Sequence, residues 1–301
     1  MKKIVLFLFL FVLISSCKKE SKITVNNGVD LLFLEEELGS SYFEAELTTY
    51  NIKEKIKYSS GVVLHLSDEP KITKDKRHLI INLFHDTKEH VFGVYDLQDK
   101  SKSKMVVTGI KNEDAFHNIY SDFFIDGDTL IYYNDQNKIY TTSIITGNTC
   151  LFKEFDGNII SFSIYPAKKI LAVVIGEYGI KSIPDSTELN ILNYENETII
   201  KEINNIENVS DFSPDGSKVI FSNTKKTCIY STVDNTIDST SLKEFRSKDK
   251  CEFLDNTNVI VRFEGNWEDE PDILYQIDLD SKNKKEIYGD NTIITTFYVL
   301  N

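Results

Sequence analysis

The feature that most restricts the fold is a short strand pattern, aliphatic then aromatic and closed by a polar turn, that returns along the whole chain. It reads Thr49-Tyr50-Asn51-Ile52, Val94-Tyr95-Asp96-Leu97, Ile139-Tyr140, Ile191-Leu192, Ile229-Tyr230 and Leu274-Tyr275-Gln276-Ile277-Asp278-Leu279. Anchored on Tyr50, Tyr95, Tyr140, Leu192, Tyr230 and Tyr275, the copies stand 45, 45, 52, 38 and 45 residues apart. Between them, apolar residues alternate in short runs of Ile, Val, Tyr, Phe and Thr bounded by Asn, Asp, Gly and Ser, the pattern of strands. A repeat of about 40 to 50 residues holding four strands is the signature of a propeller blade. Six copies predict an all-β, six-bladed propeller of four-stranded antiparallel blades over residues 30–301.

The clearest single unit runs from Val209 to Ser222 around Ser213-Pro214-Asp215-Gly216. Ser first, Pro presetting φ at the second position and Gly at the fourth are type I turn chemistry, so two strands meet there. Weaker versions lie at Phe123–Tyr132, Ser163–Ala172 and Phe253–Ile260. On these hairpins the chain resembles the TolB-like and WD-repeat-like propellers, in which such a turn joins the first two strands of a blade. The tryptophan-aspartate and glycine-histidine marks of the WD-repeat group are missing, so TolB-like is the better description. Ile293–Leu300 reads as an innermost strand without followers and residues 30–58 as three outer strands without a predecessor. The two are expected to complete one blade, which removes an open sheet edge. Val62, Val63 and Leu64 fall too early for the spacing of later blades, and a seventh, irregular blade is the alternative they raise.

Ahead of the repeats, Lys2 and Lys3 precede an apolar run from Ile4 to Ile14, the layout of a secretory signal. Eleven residues are too few to span a bilayer, which takes about 20. Ile14-Ser15-Ser16-Cys17 resembles the lipobox of bacterial lipoproteins. The resemblance implies cleavage before Cys17, acylation of its thiol and amino group, and attachment of the mature chain to a membrane. Two or more acyl chains hold stably where one holds only reversibly. Lys18 stands where an inner-membrane lipoprotein commonly carries Asp, which favours the outer membrane. The expected organisation is a signal peptide over 1–16, a lipidated tether over 17–29 and the propeller over 30–301.

Residues 1–16 contain two lysines and no acid, so the mature body keeps 32 basic and 47 acidic side chains, a formal charge of −15. Bases and acids intermingle along its length, as on a solvated surface, and no basic stripe of the kind nucleic acid needs stands out. Nucleic acid is therefore excluded as a partner. Beyond Cys17 the cysteines are Cys150, Cys228 and Cys251, too few and too scattered for a disulfide framework. A Cys228–Cys251 pair is conceivable; three buried free thiols is the preferred reading.

Candidate sites are sparse. Three long loops, Thr108–Asn118, Gly176–Thr187 and Glu264–Pro271, are expected on one face and carry Phe116, His117, Tyr178 and the single tryptophan, Trp267. Exposed aromatics on loops of a rigid scaffold point to partner binding; packing of Trp267 onto its own blade is the competing reading. His65, His78, His85 and His90 crowd one blade, but their placement at strand ends does not converge as a zinc site requires. Asp126-Gly127-Asp128 and Asp215-Gly216 read as turns rather than as calcium loops, and Glu35-Glu36-Glu37 as a solvated charge run. No nucleophile elbow occurs. The expected function is an envelope lipoprotein whose propeller binds a protein, peptide or glycan, with no cofactor. The alternative is a propeller hydrolase or lactonase holding a divalent metal in its channel.

Overall fold

The computed structural model describes residues 31–37, 44–65, 70–72, 78–83, 89–96, 102–111, 123–134, 137–178, 184–245, 249–265, 271–290 and 292–299. Blade 1 contains β1 (Leu31–Glu37), β2 (Glu44–Asn51) and β3 (Ile56–His65), and blade 2 contains β4 (Pro70–Ile72), β5 (His78–Leu83), β6 (Glu89–Asp96) and β7 (Lys104–Lys111). Blade 3 is β8 (Phe123–Asp126), β9 (Thr129–Asn134), β10 (Lys138–Ser143) and β11 (Thr149–Glu154). Blade 4 is β12 (Asn158–Tyr165), β13 (Ile170–Tyr178), β14 (Pro184–Asn193) and β15 (Thr198–Asn204). Blade 5 is β16 (Asn208–Phe212), β17 (Lys218–Asn223), β18 (Lys226–Ser231) and β19 (Thr236–Asp238). Blade 6 is β20 (Cys251–Phe253), β21 (Asn258–Phe263), β22 (Ile273–Asp278) and β23 (Lys284–Tyr288), and the last strand, β24 (Thr292–Val299), returns to blade 1.

These strands form six four-stranded sheets, and in blade 1 the order is β24-β1-β2-β3. β24 pairs antiparallel with β1 from Leu31 opposite Val299 to Glu37 opposite Thr292, so the two ends of the propeller share one blade. Val62–Leu64 belong to the far end of β3, where Val63 faces Glu46 and Leu64 faces Ala45 across the ladder. The early strand is thus an extension of blade 1 and not a seventh blade. First strands of successive blades touch, β4 to β8, β12 to β16, β16 to β20 and β20 to β24, which makes them the inner ring.

The core lies between blades. Ala172, Val174, Leu189 and Ile191 of blade 4 pack on Val209, Phe212, Val219 and Phe221 of blade 5. Ile220 and Ile229 meet Phe253, Val259 and Val261 of blade 6. Ile260, Leu274, Ile287 and Tyr288 close on Leu31, Tyr50, Ile294 and Phe297 of blade 1. Blade 4 buries both faces, against blades 3 and 5, which is why its second strand runs Ile170-Leu171-Ala172-Val173-Val174-Ile175 rather than alternating.

All six anchor residues lie on the third strand of a blade, but Tyr140 and Tyr275 sit two residues further from the following turn than the other four. The structurally equivalent position is the strand's last residue, which in five blades accepts turn N–H groups through its side chain. Asn51 Oδ1 accepts from Glu54 N, Ser143 Oγ from Ile145 and Thr146 N, and Asn193 Oδ1 from Glu195 and Asn196 N. Ser231 Oγ accepts from Asp234 N, and Asp278 Oδ1 from Asp280 and Ser281 N. A left-handed residue then ends each turn: Lys55, Gly147, Glu197, Asn235 and Lys282, with φ between 54° and 76°. Short side-chain acceptors bonding the backbone just ahead are what Asn, Asp and Ser contribute to turns.

The Ser213–Gly216 turn joins β16 to β17 as its sequence predicts, with Gly216 N donating to Ser213 O at 2.7 Å and Gly216 at φ 66°. Asp126-Gly127-Asp128 is likewise a turn, with Gly127 at φ 56°. The three body cysteines are all unpaired; Cys228 and Cys251 are buried, whereas Cys150 is exposed on the outer strand β11. Burial pushes the Cys228 and Cys251 thiols upward, which keeps them protonated and inert.

Candidate functional site

The antiparallel order gives the propeller two unlike ends. One end carries the first-to-second and third-to-fourth turns, together with the point where β1 begins opposite Val299. The other carries the second-to-third loops and the connections between blades. Strands extend further than the sequence suggests at this second end: β7 runs to Lys111, β13 to Tyr178, and β14 begins at Pro184. Tyr178 is therefore the last residue of β13, paired with Pro184 across an irregularity in register. Phe116, His117 and Trp267 lie outside the described residues, as does Cys17. The Glu264–Pro271 loop does fall between β21 and β22, as expected.

That loop is held at its root by a carboxylate that nothing in the sequence marked. Asp272, 3% exposed, accepts Gly265 N on Oδ1 at 2.8 Å and Ile294 N on Oδ2 at 2.9 Å. One side chain thus ties the foot of the tryptophan loop to the closing strand. Burial lifts its carboxyl above the ordinary value, against the lowering influence of the two N–H groups and Arg262. Arg262 reinforces the tie by donating from Nη1 to Ile294 O at 2.6 Å.

A second polar group sits at the rim between blades 6 and 1, beside a cleft of about 290 Å³ lined by Tyr50, Lys57, Ile287, Tyr288 and Asp290 among others. Its centre is Glu35, which is buried and not part of a solvated run. Thr48 Oγ1 donates to Glu35 Oε1 at 2.7 Å, Tyr288 OH donates to Oε2 at 2.7 Å, and Lys57 Nζ lies 3.1 Å from Oε1. Lys57 also reaches Tyr288 OH at 3.1 Å and Asp290 at 3.4 Å. Burial draws the Lys57 ammonium down, but the bonds and charges of Glu35 and Asp290 outweigh it and raise it overall. Tyr50 completes the seam, its hydroxyl donating to Ile287 O at 2.8 Å.

The inner ring uses its polar residues in the same way. Ser161 Oγ of blade 4 accepts Val209 N of blade 5 at 2.9 Å, and Asp211 Oδ2 accepts Phe253 N of blade 6 at 3.2 Å. Glu252 Oε2 accepts Val299 N of blade 1 at 2.7 Å. The inner strands β12, β16 and β20 thereby each clamp the next one round the channel. Among the described residues no three His, Cys, Asp or Glu side chains gather as a metal site. His78 stands at a strand end, its Nε2 3.8 Å from Asp96.

With this geometry the chain is similar to two solved structures. TolB from Acinetobacter baumannii superposes with a TM-score of 0.61 at 14% identity, covering 90% of this chain and 66% of that one. The putative TolB from Agrobacterium tumefaciens gives 0.53 at 12% identity, covering 89% and 93%. The fold is TolB-like. This chain thus spans just under two thirds of the length of the Acinetobacter protein. No family model and no curated protein sequence matches the chain. The TolB-like likeness is carried by the blades; the seam residues Glu35, Lys57 and Tyr288 and the loop root Asp272 had no sequence signal beyond their residue type, because Glu35 finds Thr48, Lys57 and Tyr288 13, 22 and 253 residues away and Asp272 reaches Ile294 22 residues on.

Proposed function

We propose that the chain is a lipid-anchored envelope protein, held at the outer membrane through Cys17, whose propeller is a binding module for a protein partner. The observation that carries this reading is the opposition of the two propeller ends. β1 starts at the turn-rich end, the end the proposed tether would join, whereas β13 ends at Tyr178 and β21 passes to β22 at the opposite end. The described polar side chains support binding over catalysis, since the buried acids Glu35 and Asp272 and the channel-side Asp211 and Glu252 are engaged in holding blades together. A peptide or glycan would meet the same loop face.

Two measurements test the reading. Metabolic labelling with a radioactive fatty acid is expected to mark the full chain and to fail with Cys17→Ala; equal labelling of both would end the anchoring proposal. Affinity capture from envelope extracts is expected to recover a partner that the Trp267→Ala, Tyr178→Ala variant loses. A stoichiometric divalent metal in the purified protein, with hydrolysis of a lactone, would instead favour the enzymatic alternative.

A further inference from the structure

Three pairs of adjacent lysines lie among the described residues, and the fold treats them differently. Lys168-Lys169, in the β12–β13 turn, is compensated: Lys169 Nζ is 3.5 Å from Glu195, and the Lys168 charge acts on Asp215. Lys284-Lys285 is anchored through Lys284, which lies 3.5 Å from Glu244 and 3.9 Å from the centre of the Tyr275 ring. Lys225-Lys226 occupies the β17–β18 turn, where Asn223 Oδ1 accepts both backbone N–H groups at 3.0 and 3.1 Å. Neither ammonium group forms an ion pair among the described residues, although the Lys226 and Asp238 charges both act on Cys228.

A third lysine joins them. Thr227 N donates to Phe245 O at 2.9 Å, bringing the connection between β19 and β20, with exposed Lys243, against this turn. In sequence that stretch looks balanced, because Asp238, Glu244, Asp249 and Glu252 interleave with the bases. The fold turns those acids elsewhere. Asp238 is taken up by the hydroxyls and N–H groups of Thr240 and Ser241, whose bonds overcome burial and hold its carboxyl at about 2. Glu244 pairs with Lys284, Asp249 is 5% exposed, and Glu252 binds Lys250 at 3.3 Å and Val299 N at 2.7 Å.

We infer that Lys225, Lys226 and Lys243 form a docking patch for an acidic peptide segment of a protein partner. Three cations that form no ion pair among the described residues, on a chain of net charge −13, offer positive charge of the kind that steers and orients an acidic ligand. The patch lies at the loop-bearing end, where β17 passes to β18 and blade 5 to blade 6, away from the end where β1 begins. That placement favours a protein segment over the membrane as the occupant. The inference rests on the binding-module reading but uses residues separate from Trp267 and Tyr178.

The test is fluorescence anisotropy of a labelled hexaglutamate peptide titrated with the full chain at low salt. Binding is expected to weaken about tenfold or more in Lys225→Glu/Lys226→Glu/Lys243→Glu, and to fall similarly for the unaltered chain as salt compresses the screening length from about 30 to 8 Å. Lys168→Glu/Lys169→Glu is expected to bind as the unaltered chain does, and circular dichroism melting is expected to find both charge variants folded. Absence of peptide binding, or equal binding by the folded triple variant, overturns the inference. Lysine-dependent binding of phosphatidylglycerol vesicles without peptide binding also overturns it, in favour of a membrane contact. The Trp267→Ala, Tyr178→Ala variant is expected to keep peptide binding; loss there would move the site to the aromatic loops.

Discussion

The junction between blades 4 and 5 and the junction between blades 6 and 1 perform the same task with different materials. Between blades 4 and 5 the contact is apolar, fringed by two neutral hydrogen bonds: Ser161 Oγ accepting Val209 N, and Tyr165 OH donating to Pro214 O at 2.7 Å. Between blades 6 and 1 an apolar layer is also present, but it is flanked by buried carboxylates, Glu35 on the rim and Asp272 at the loop end. The ordinary junction follows a continuous chain. The closing one is made only by β24 finding β1, and charged groups with several fixed partners reject a shifted register, since any slip strands a buried charge.

The largest effect that separates the two junctions is expected at Glu35. Glu35→Ala removes the acceptor shared by Thr48, Tyr288 and Lys57. Loss of one member of a buried pair costs up to about 5 kcal/mol; because Lys57 is 36% exposed and screened by water, about 3 kcal/mol is expected in urea unfolding. A loss below about 0.5 kcal/mol, the scale of a neutral surface change, would reduce the latch to an ordinary surface pair. At the blade 4–5 junction, Gly216→Ala is the sharpest lesion. Its Cβ would stand 2.3 Å from the Tyr165 ring, at φ 66°, and strain at such a position costs about 2 kcal/mol. Adding Tyr165→Ala should recover the steric part but not the backbone part, a non-additivity that a double-mutant cycle reads directly.

The smallest contrast lies within one strand. Ser161→Ala leaves Val209 N without its acceptor and is expected to cost about 1 kcal/mol. Ser163 is fully buried two residues on, and its Oγ has no hydrogen-bond partner among the described residues. Removing that hydroxyl by Ser163→Ala discards an uncompensated polar group, so a change within about 0.5 kcal/mol of zero, or a gain, is expected. Equal losses at both serines would mean that general packing, and not the Ser161 clamp, holds the inner strands.

The same contrast explains what could be read from the sequence. Ser213-Pro214-Asp215-Gly216 announced its hairpin because turn chemistry is local: four consecutive residues contain the whole cause. The blade count followed from Tyr50, Tyr95, Tyr230 and Leu192, which repeat one position of one strand, although Tyr140 and Tyr275 were out of phase by two residues and still marked their blades. Glu35 reads as part of a solvated run because its neighbours are also acids; its partner Tyr288 is 253 residues away. Lys243 stands beside Glu244 in sequence, yet the fold pairs Glu244 with Lys284. Local chemistry was legible, and charge pairing, decided by non-local neighbours, was not.

The central claim is that the propeller closes through β24 pairing with β1 in the register that sets Leu32 opposite Tyr298. Facing residues of an antiparallel pair stand about 4.5 to 5.5 Å apart at Cα, within disulfide reach. In a Cys150→Ser background, Leu32→Cys with Tyr298→Cys should form an intramolecular disulfide under mild oxidation and raise the unfolding temperature, while Leu32→Cys with Thr296→Cys should cross-link poorly. Failure of the first pair to cross-link within one chain, or better cross-linking by the second, would contradict this closure.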